Sequence, residues 1–298
     1  MVLPVFRSPL RVLDDRDRAD VLGLCAQDPV ANVFVSSRIS QVGADPARMG
    51  GQLWGWYPEG RLTAACWEGA NLVPVLSRTG AGRDDAQDHA EALDAFATRA
   101  RRHGRRCSSL VGPADAVMGL WGRLEGTWGP ARDVRPDQPL MAIRGLPQVE
   151  PDPAVRLAVP ADLDVLVPAC IAMFTEEVGY SPTAGDGGAT YRRRVQELVA
   201  ARRSFVRIEE VGGTPQVVFK AELGAVSPGV AQVQGVWVHP ERRGEGLAEP
   251  GMAAVVVGAQ AAGYGVVSLY VNDFNTRAVR AYASVGFEQV GTFATVLF

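Results

Sequence analysis

Three observations predict a mixed α/β fold repeated in two tandem units. Strand-like and helix-like segments alternate along the chain, an internal echo links its halves, and a proline-rich stretch separates them. The echo is positional. Arg11-Val-Leu-Asp-Asp before a helical stretch matches Arg156-Leu-Ala-Val-Pro before another. The helix Ala90–Arg102 ending at Gly104 matches one ending at Gly263, and strand Arg106–Val111 matches Val266–Val271. Gly263 follows Gly104 by 159 positions and Gly286 follows Gly126 by 160, near-equal offsets that point to duplication. Leu146-Pro147-Gln-Val-Glu-Pro151-Asp-Pro153 lacks periodicity and reads as an extended linker dividing 1–148 from 149–298.

In the first half, Gln52–Tyr57 and Arg61–Glu68 flank the turn Pro58-Glu59-Gly60 and read as a hairpin. Its Trp54, Trp56 and Trp67 suit a core, with a ligand groove as the alternative. In the second half, Pro160 with Asp162 and Asp164 opens a helix over Ala161–Phe174. A glycine-rich loop, Glu176–Gly188, leads to a helix over Thr190–Arg202. Ser204–Glu210, Pro215–Ser227 and Val230–His239 are strands, joined at Gly212-Gly213 and Ser227-Pro228-Gly229. Helix Met252–Ala262, with Gly263 as its cap, and strand Val266–Asn272 complete the pattern.

Composition narrows the partners. The 298 residues are 47% hydrophobic and 21% charged, with net charge −3 and an isoelectric point near 5.7, so no global basic field recommends nucleic acid or an anionic membrane. The start lacks a basic segment followed by an apolar one, and the longest apolar stretch, Met252–Gly263, is too short to span a bilayer. A cytoplasmic protein is expected. Cys25, Cys66, Cys107 and Cys170 are isolated from one another and from histidine, which argues against a disulfide framework or a metal site and for buried packing. Lys220 is the only lysine among 30 lysines and arginines.

Residues 236–248, Val-Trp-Val-His-Pro-Glu-Arg-Arg-Gly-Glu-Gly-Leu-Ala, are the most informative stretch: an apolar strand, a proline turn, and a glycine-spaced arginine loop opening a helix. The first helical amides lack intrahelical partners and the helix dipole is positive there, so such a junction binds phosphate. Gly244 and Gly246 let backbone approach the ligand, and Arg243 supplies a cation.

Arg243-x-x-Gly246-x-Ala248 after this strand resembles the acetyl-CoA signature of the Gcn5-related N-acetyltransferases (GNAT). Its continuation, Asn275-x-x-Ala278-x-x-x-Tyr282-x-x-x-Gly286-Phe287, resembles the second half of the same family, so the likeness covers roughly residues 150–298. The resemblance implies mostly antiparallel twisted sheets flanked by helices and a loop, Arg243, Gly244, Glu245, Gly246, Leu247 and Ala248, that wraps the cofactor pyrophosphate. It implies that the backbone of Val236, Trp237 and Val238 pairs with the pantetheine arm. Asn275 and Tyr282, seven residues apart, are expected on one helix face with small Ala278 between them. Asn275 then meets the pantetheine amide, and Tyr282 protonates the departing thiolate unless it is a core aromatic. Arg277 and Arg280 are phosphate partners or solvated. Glu222 is the candidate general base, with an ion pair to Lys220 as the alternative. Glu176, Glu177 and Tyr180 line the acceptor side or form a solvated loop.

The first half lacks these features. Its loop Arg78–Arg83 is glycine-rich, but Asp84, Asp85 and Asp88 follow and would repel phosphate, and Gly122 and Arg123 stand near the position matching Tyr282. It is expected to be a degenerate copy, as in two-domain acetyltransferases with an inactive first half. The activity implied is acetyl transfer from acetyl-CoA to a primary amine of a protein, peptide or small molecule, by direct attack in a ternary complex. A non-catalytic CoA-binding regulator and a structural protein with a vestigial pocket are the alternatives, separated by turnover and by CoA affinity.

Overall fold

The computed structural model describes residues 9–78, 83–184 and 186–298. Residues 79–82 of the Arg78–Arg83 loop, the first eight residues and Gly185 lie outside these. In chain order the elements are β1 (Leu10–Val12), α1 (Arg18–Ala26), α2 (Val33–Val42), α3 (Pro46–Met49), β2 (Gln52–Trp56), β3 (Ala64–Glu68), β4 (Asn71–Leu76), α4 (Arg83–His103), β5 (Ser109–Pro113), α5 (Ala114–Trp128) and β6 (Asp133–Ile143). There follow β7 (Arg156–Leu157), α6 (Leu163–Val178), α7 (Ala189–Ala200), β8 (Ser204–Val211), β9 (Thr214–Ser227), β10 (Val230–Val238), α8 (Ala248–Ala261), β11 (Val266–Tyr270), α9 (Thr276–Val285) and β12 (Glu288–Leu297).

Two compact units result, and no single cut in the sequence separates them. The first holds residues 1–140, 270–274 and 289–298; the second holds 141–269 and 275–288. The first break falls after Leu140, and the last ten residues of the chain count with the first unit.

In the first unit the strands run β1-β2-β3-β4-β5-β12. All neighbours are antiparallel except β4 and β5. Period-two alternation sends Leu53, Ala65, Trp67, Val73 and Val75 to the core under α1 and α2, and Trp54, Trp56, Cys66 and Leu72 to the core shared with Phe96 of α4 and Leu120 of α5. The three tryptophans are therefore core. Helix α4 starts at Arg83, earlier than its apolar face suggests.

In the second unit the order is β11-β10-β9-β8-β7, with α6 and α7 covering Val206, Val217 and Trp237 on one face. Helix α8 lies close on the other face: a Cβ on Gly251 would come within 2.7 Å of the Phe219 ring, and one on Gly258 within 2.5 Å of Phe205. All four cysteines are free and buried.

Both units begin with the same clasp. The Arg11 guanidinium donates to Asp17 at 2.9 and 2.6 Å, and Arg156 donates to Asp162 at 2.7 and 2.9 Å. Each aspartate also accepts a backbone amide three residues earlier, from Asp14 and Val159. The Arg156 bond holds the Asp162 carboxyl below its ordinary 3.8 against the opposing effect of burial. A depressed carboxyl stabilises fully above its ordinary value and loses that contribution as pH falls through its lower folded value. Asp162→Asn should therefore cost about 1–3 kcal/mol at pH 7 and remove part of the acid limb in denaturant melts below pH 4; an unchanged acid limb would show that the clasp contributes nothing.

Candidate active site

The candidate site lies wholly in the second unit and is built on β10. This strand pairs in parallel with β11 only over Val230–Gln232 against Val266–Ser268. Its other edge stays bonded to β9 as far as Val238, opposite Phe219. From Val233 onward the β11-facing edge of β10 therefore departs from its neighbour, leaving a wedge beside Val236, Trp237 and Val238. A β-bulge between Gln234 and Trp237 sets the twist there. Its Gly235 has φ +58, and a Cβ at that position would sit 2.9 Å from Met173 Cε, 3.0 Å from Lys220 Nζ and 3.3 Å from Glu222 Cδ. An isolated glycine inside an apolar strand was the sequence signal for this bulge.

Beyond Val238, a single turn over Pro240–Arg242 is capped by His239, whose Nδ1 accepts the Glu241 amide. The loop follows. Gly244 and Gly246 have φ +94 and +77, left-handed values that side chains rarely adopt. A Cβ on Gly246 would meet nothing within 4 Å, and one on Gly244 would meet Arg277 Nη2 at 3.7 Å. The loop is open and flanked by a guanidinium. Leu247 caps α8 without a side-chain hydrogen bond, leaving the helix's first amides for another acceptor. Arg242 braces the loop, donating to Glu209 at 2.6 Å and to Glu245 at 2.7 Å, while Glu209 also pairs with Arg207 and Arg207 with Asp152. Sequence reading missed this ion-pair chain because its members are scattered over residues 152–245.

Arg243 turns back onto the protein. Its Nε donates to the Val238 carbonyl at 3.1 Å and its Nη2 to Glu176 at 2.6 Å. The Trp237 indole donates to the other oxygen of Glu176 at 3.4 Å. Glu176 and Glu177 belong to the last turn of α6 rather than to the following loop, a correction to the expected end at Phe174; Gly179 at φ +84 stops the helix instead. Tyr180 lies beyond that stop, its ring edge-on to Phe174 at 5.5 Å.

Asn275 is not on the face of α9. It is the N-cap, its side chain accepting the Ala278 amide at 3.2 Å, because an asparagine at a helix start finds the unpartnered amides of the first turn. Its amide NH2 is left as a donor. Tyr282 is 9% exposed, with its ring 6.1 Å from Phe287, and its hydroxyl makes no hydrogen bond within the described residues. Burial, then the charge of Glu177, push the phenol above its ordinary value, so it is protonated at neutral pH.

Glu222 sits on the α6 face of β9, opposite Gln234. It is 6% exposed and accepts from Lys220 Nζ at 3.4 Å and Arg194 Nη2 at 3.3 Å. The ion pair with Lys220 weighed in the sequence is thus present, joined by an arginine from α7 that no spacing rule connects to it. Burial alone would discharge Lys220; the neighbouring Glu222 carboxylate and Cys170 outweigh it and raise its value. No hydrogen bond or ion pair among the described residues joins Glu222 to Tyr282.

A helix start free of side-chain caps, a left-handed glycine loop and a splayed parallel strand meet in the second unit. Residues 191–287 match the family described as acetyltransferase (GNAT) family, and residues 51–166 match a domain of unknown function, DUF4081. Residues 191–287 thus carry a match to the GNAT family, and the fold of the whole chain is similar to that of GNAT structures, one of them a tandem protein. Among solved structures it is similar to a GNAT-family acetyltransferase from Colwellia psychrerythraea (13% identity, 97% of this chain and 99% of that one, TM-score 0.55). It is likewise similar to a GCN5-related N-acetyltransferase from Sphaerobacter thermophilus (16%, 97% and 95%, 0.57) and to a tandem GNAT protein from the clavulanic acid biosynthesis pathway (14%, 97% and 98%, 0.57). These identities show the fold. No curated protein matches the chain. No described helix is long and apolar enough to cross a membrane, and among the described residues no cluster of His, Cys, Asp and Glu could hold a metal ion.

Proposed function

We propose that the second unit transfers an acetyl group from acetyl-CoA to a primary amine of a protein, peptide or small molecule by direct attack in a ternary complex. The observation that carries this reading is the continuity of the splayed edge of β10 with the uncapped start of α8 through the open loop 243–248. Acetyl-CoA brings the activated acyl group as a thioester; the chain holds and orients it. The amides of Gly244–Ala248 and the guanidinium of Arg243 take the pyrophosphate, with Arg277 beside them. The free backbone of Val236, Trp237 and Val238 takes the pantetheine arm, the Asn275 amide adds a donor, and Ala278 leaves the space. Backbone amides held rigid at the bulge stabilise the charge that develops on the acyl oxygen. Tyr282, protonated at neutral pH, donates to the departing sulfur. Glu176, Glu177 and Tyr180 at the end of α6 face the acceptor's ammonium.

Glu222 remains the proposed base, directly or through water, with Lys220 and Arg194 both holding its oxygens. This same pairing favours the second reading, a CoA-binding regulator without turnover. Titration calorimetry tests the shared cofactor site. Arg243→Glu reverses the loop's charge and Gly246→Trp forces a bulky side chain onto a left-handed backbone, so each should abolish acetyl-CoA binding with the circular dichroism unchanged. Parental affinity in both variants would remove the site from this loop. Turnover against an amine panel then separates enzyme from regulator. The first unit is proposed as the inactive copy expected for residues 1–148, so one CoA should bind per chain.

A further inference from the structure

Arg243 is the cation the proposed cofactor site depends on, and in this structure the protein uses it. One guanidinium nitrogen is spent on the Val238 carbonyl and another on Glu176 at 2.6 Å. Glu176 is in turn oriented by the Trp237 indole, so one carboxylate spans the end of β10 and the phosphate loop. Both partners are half-exposed, at 40% and 44% of their side-chain surface. An exposed pair of this kind is weak, whereas a pyrophosphate offers a guanidinium two anionic groups and additional loop amides. A bound pyrophosphate therefore displaces Glu176.

Among the described residues Glu176 makes no ion pair besides the one with Arg243. It stands in the last turn of α6, where the carbonyl ends of the helix are negative, next to Glu177. The other arginine of the loop, Arg242, is already engaged by Glu209 and Glu245. An anion left in that setting attracts an ammonium.

We infer that Glu176 couples the two binding steps: it latches Arg243 in the free protein, and cofactor binding releases it to take the cationic acceptor. The inference rests on the cofactor site proposed above and adds a direction to it. Coupling of this kind is reciprocal, so CoA and the cationic amine each strengthen the other's binding by one factor. It also makes Glu176 a specificity residue that reads positive charge on the acceptor only after the cofactor is in place.

The test uses the full chain, CoA rather than acetyl-CoA to prevent turnover, and n-butylammonium as the probe amine. Calorimetry is run for CoA on wild type, Glu176→Gln and Glu176→Ala. Amine affinity is followed by the indole N–H resonance of Trp237, assigned with Trp237→Phe, in the presence and absence of saturating CoA. Removing the competing carboxylate should tighten CoA binding about two- to five-fold, the worth of one exposed ion pair. Wild type should bind n-butylammonium at least about two-fold more tightly with CoA than without, and Glu176→Gln should lose that difference. CoA should also shift the wild-type Trp237 resonance toward its position in free Glu176→Gln. Unchanged CoA affinity in both variants, or equal amine affinity with and without CoA in wild type, overturns the latch while leaving the cofactor site standing. Absence of CoA binding to wild type overturns both.

Discussion

Tyr282→Phe should lower turnover by about 10²–10⁴ while leaving acetyl-CoA affinity within about two-fold of the parent. The substitution keeps a buried ring that packs beside Phe287 and removes a hydroxyl that makes no hydrogen bond within the described residues, so folding should barely change. What it removes is the proton donor proposed for the departing thiolate. The pH profile gives an independent readout. Burial and the charge of Glu177 raise the phenol above its ordinary 10, so a proton held there survives past that value, and any alkaline loss of turnover due to this group belongs above pH 10. The Phe variant should lack that limb. Parental turnover under conditions where chemistry limits the rate would make Tyr282 structural.

Lys220→Met should destabilise the second unit by about 3–5 kcal/mol, the usual penalty for leaving one member of a buried ion pair behind. Lys220 is fully buried and its partner Glu222 nearly so; without the ammonium, Glu222 keeps, among the described residues, the ion pair with Arg194, whose side chain is half-exposed. Replacing both partners, as in Lys220→Met with Glu222→Leu, should recover most of the loss, because an apolar pair of similar volume avoids the cost of desolvating two charges. The pH dependence has a definite sign. Lys220 is raised above its ordinary 10.5, so its contribution is complete below that value and disappears as pH rises through the folded one. Urea melts from pH 7 to 11 measure this. A loss under about 1 kcal/mol at pH 7 in the single variant would mean that water or a rotamer change satisfies Glu222 without the lysine.

The strand–loop–helix junction was legible from residues 236–248 because its determinants are local. A strand end, a proline turn, two glycines with left-handed backbone and an uncapped helix start are all set within a few residues of one another, and the structure has each of them. The fate of Glu222 was only half legible. Its alternation with Lys220 on one strand face follows from period two, but Arg194 arrives from α7 through packing, and sequence separation hides such partners. Asn275 was read as a helix-face residue because the spacing to Tyr282 equals two turns; spacing alone cannot tell the first helical residue from the cap before it. Glu176 was placed in a loop because a glycine-rich stretch follows it; the helix instead runs to Val178, and from its last turn Glu176 meets Arg243 and Trp237.

What the sequence by itself determined is therefore the mixed α/β class, the tandem plan, the alternation of core faces and the glycine-rich strand–loop–helix junction, all products of short-range periodicity and backbone stereochemistry. Tertiary structure alone decided that the final strand pairs with β5 in the first unit, that β10 leaves β11 after Gln232, and that Glu176 holds Arg243 while Lys220 and Arg194 share Glu222. Each of these depends on which distant surfaces meet. Such meetings are selected by the burial of whole faces and by charges that must find partners once buried, and neither is encoded at any one position in the chain.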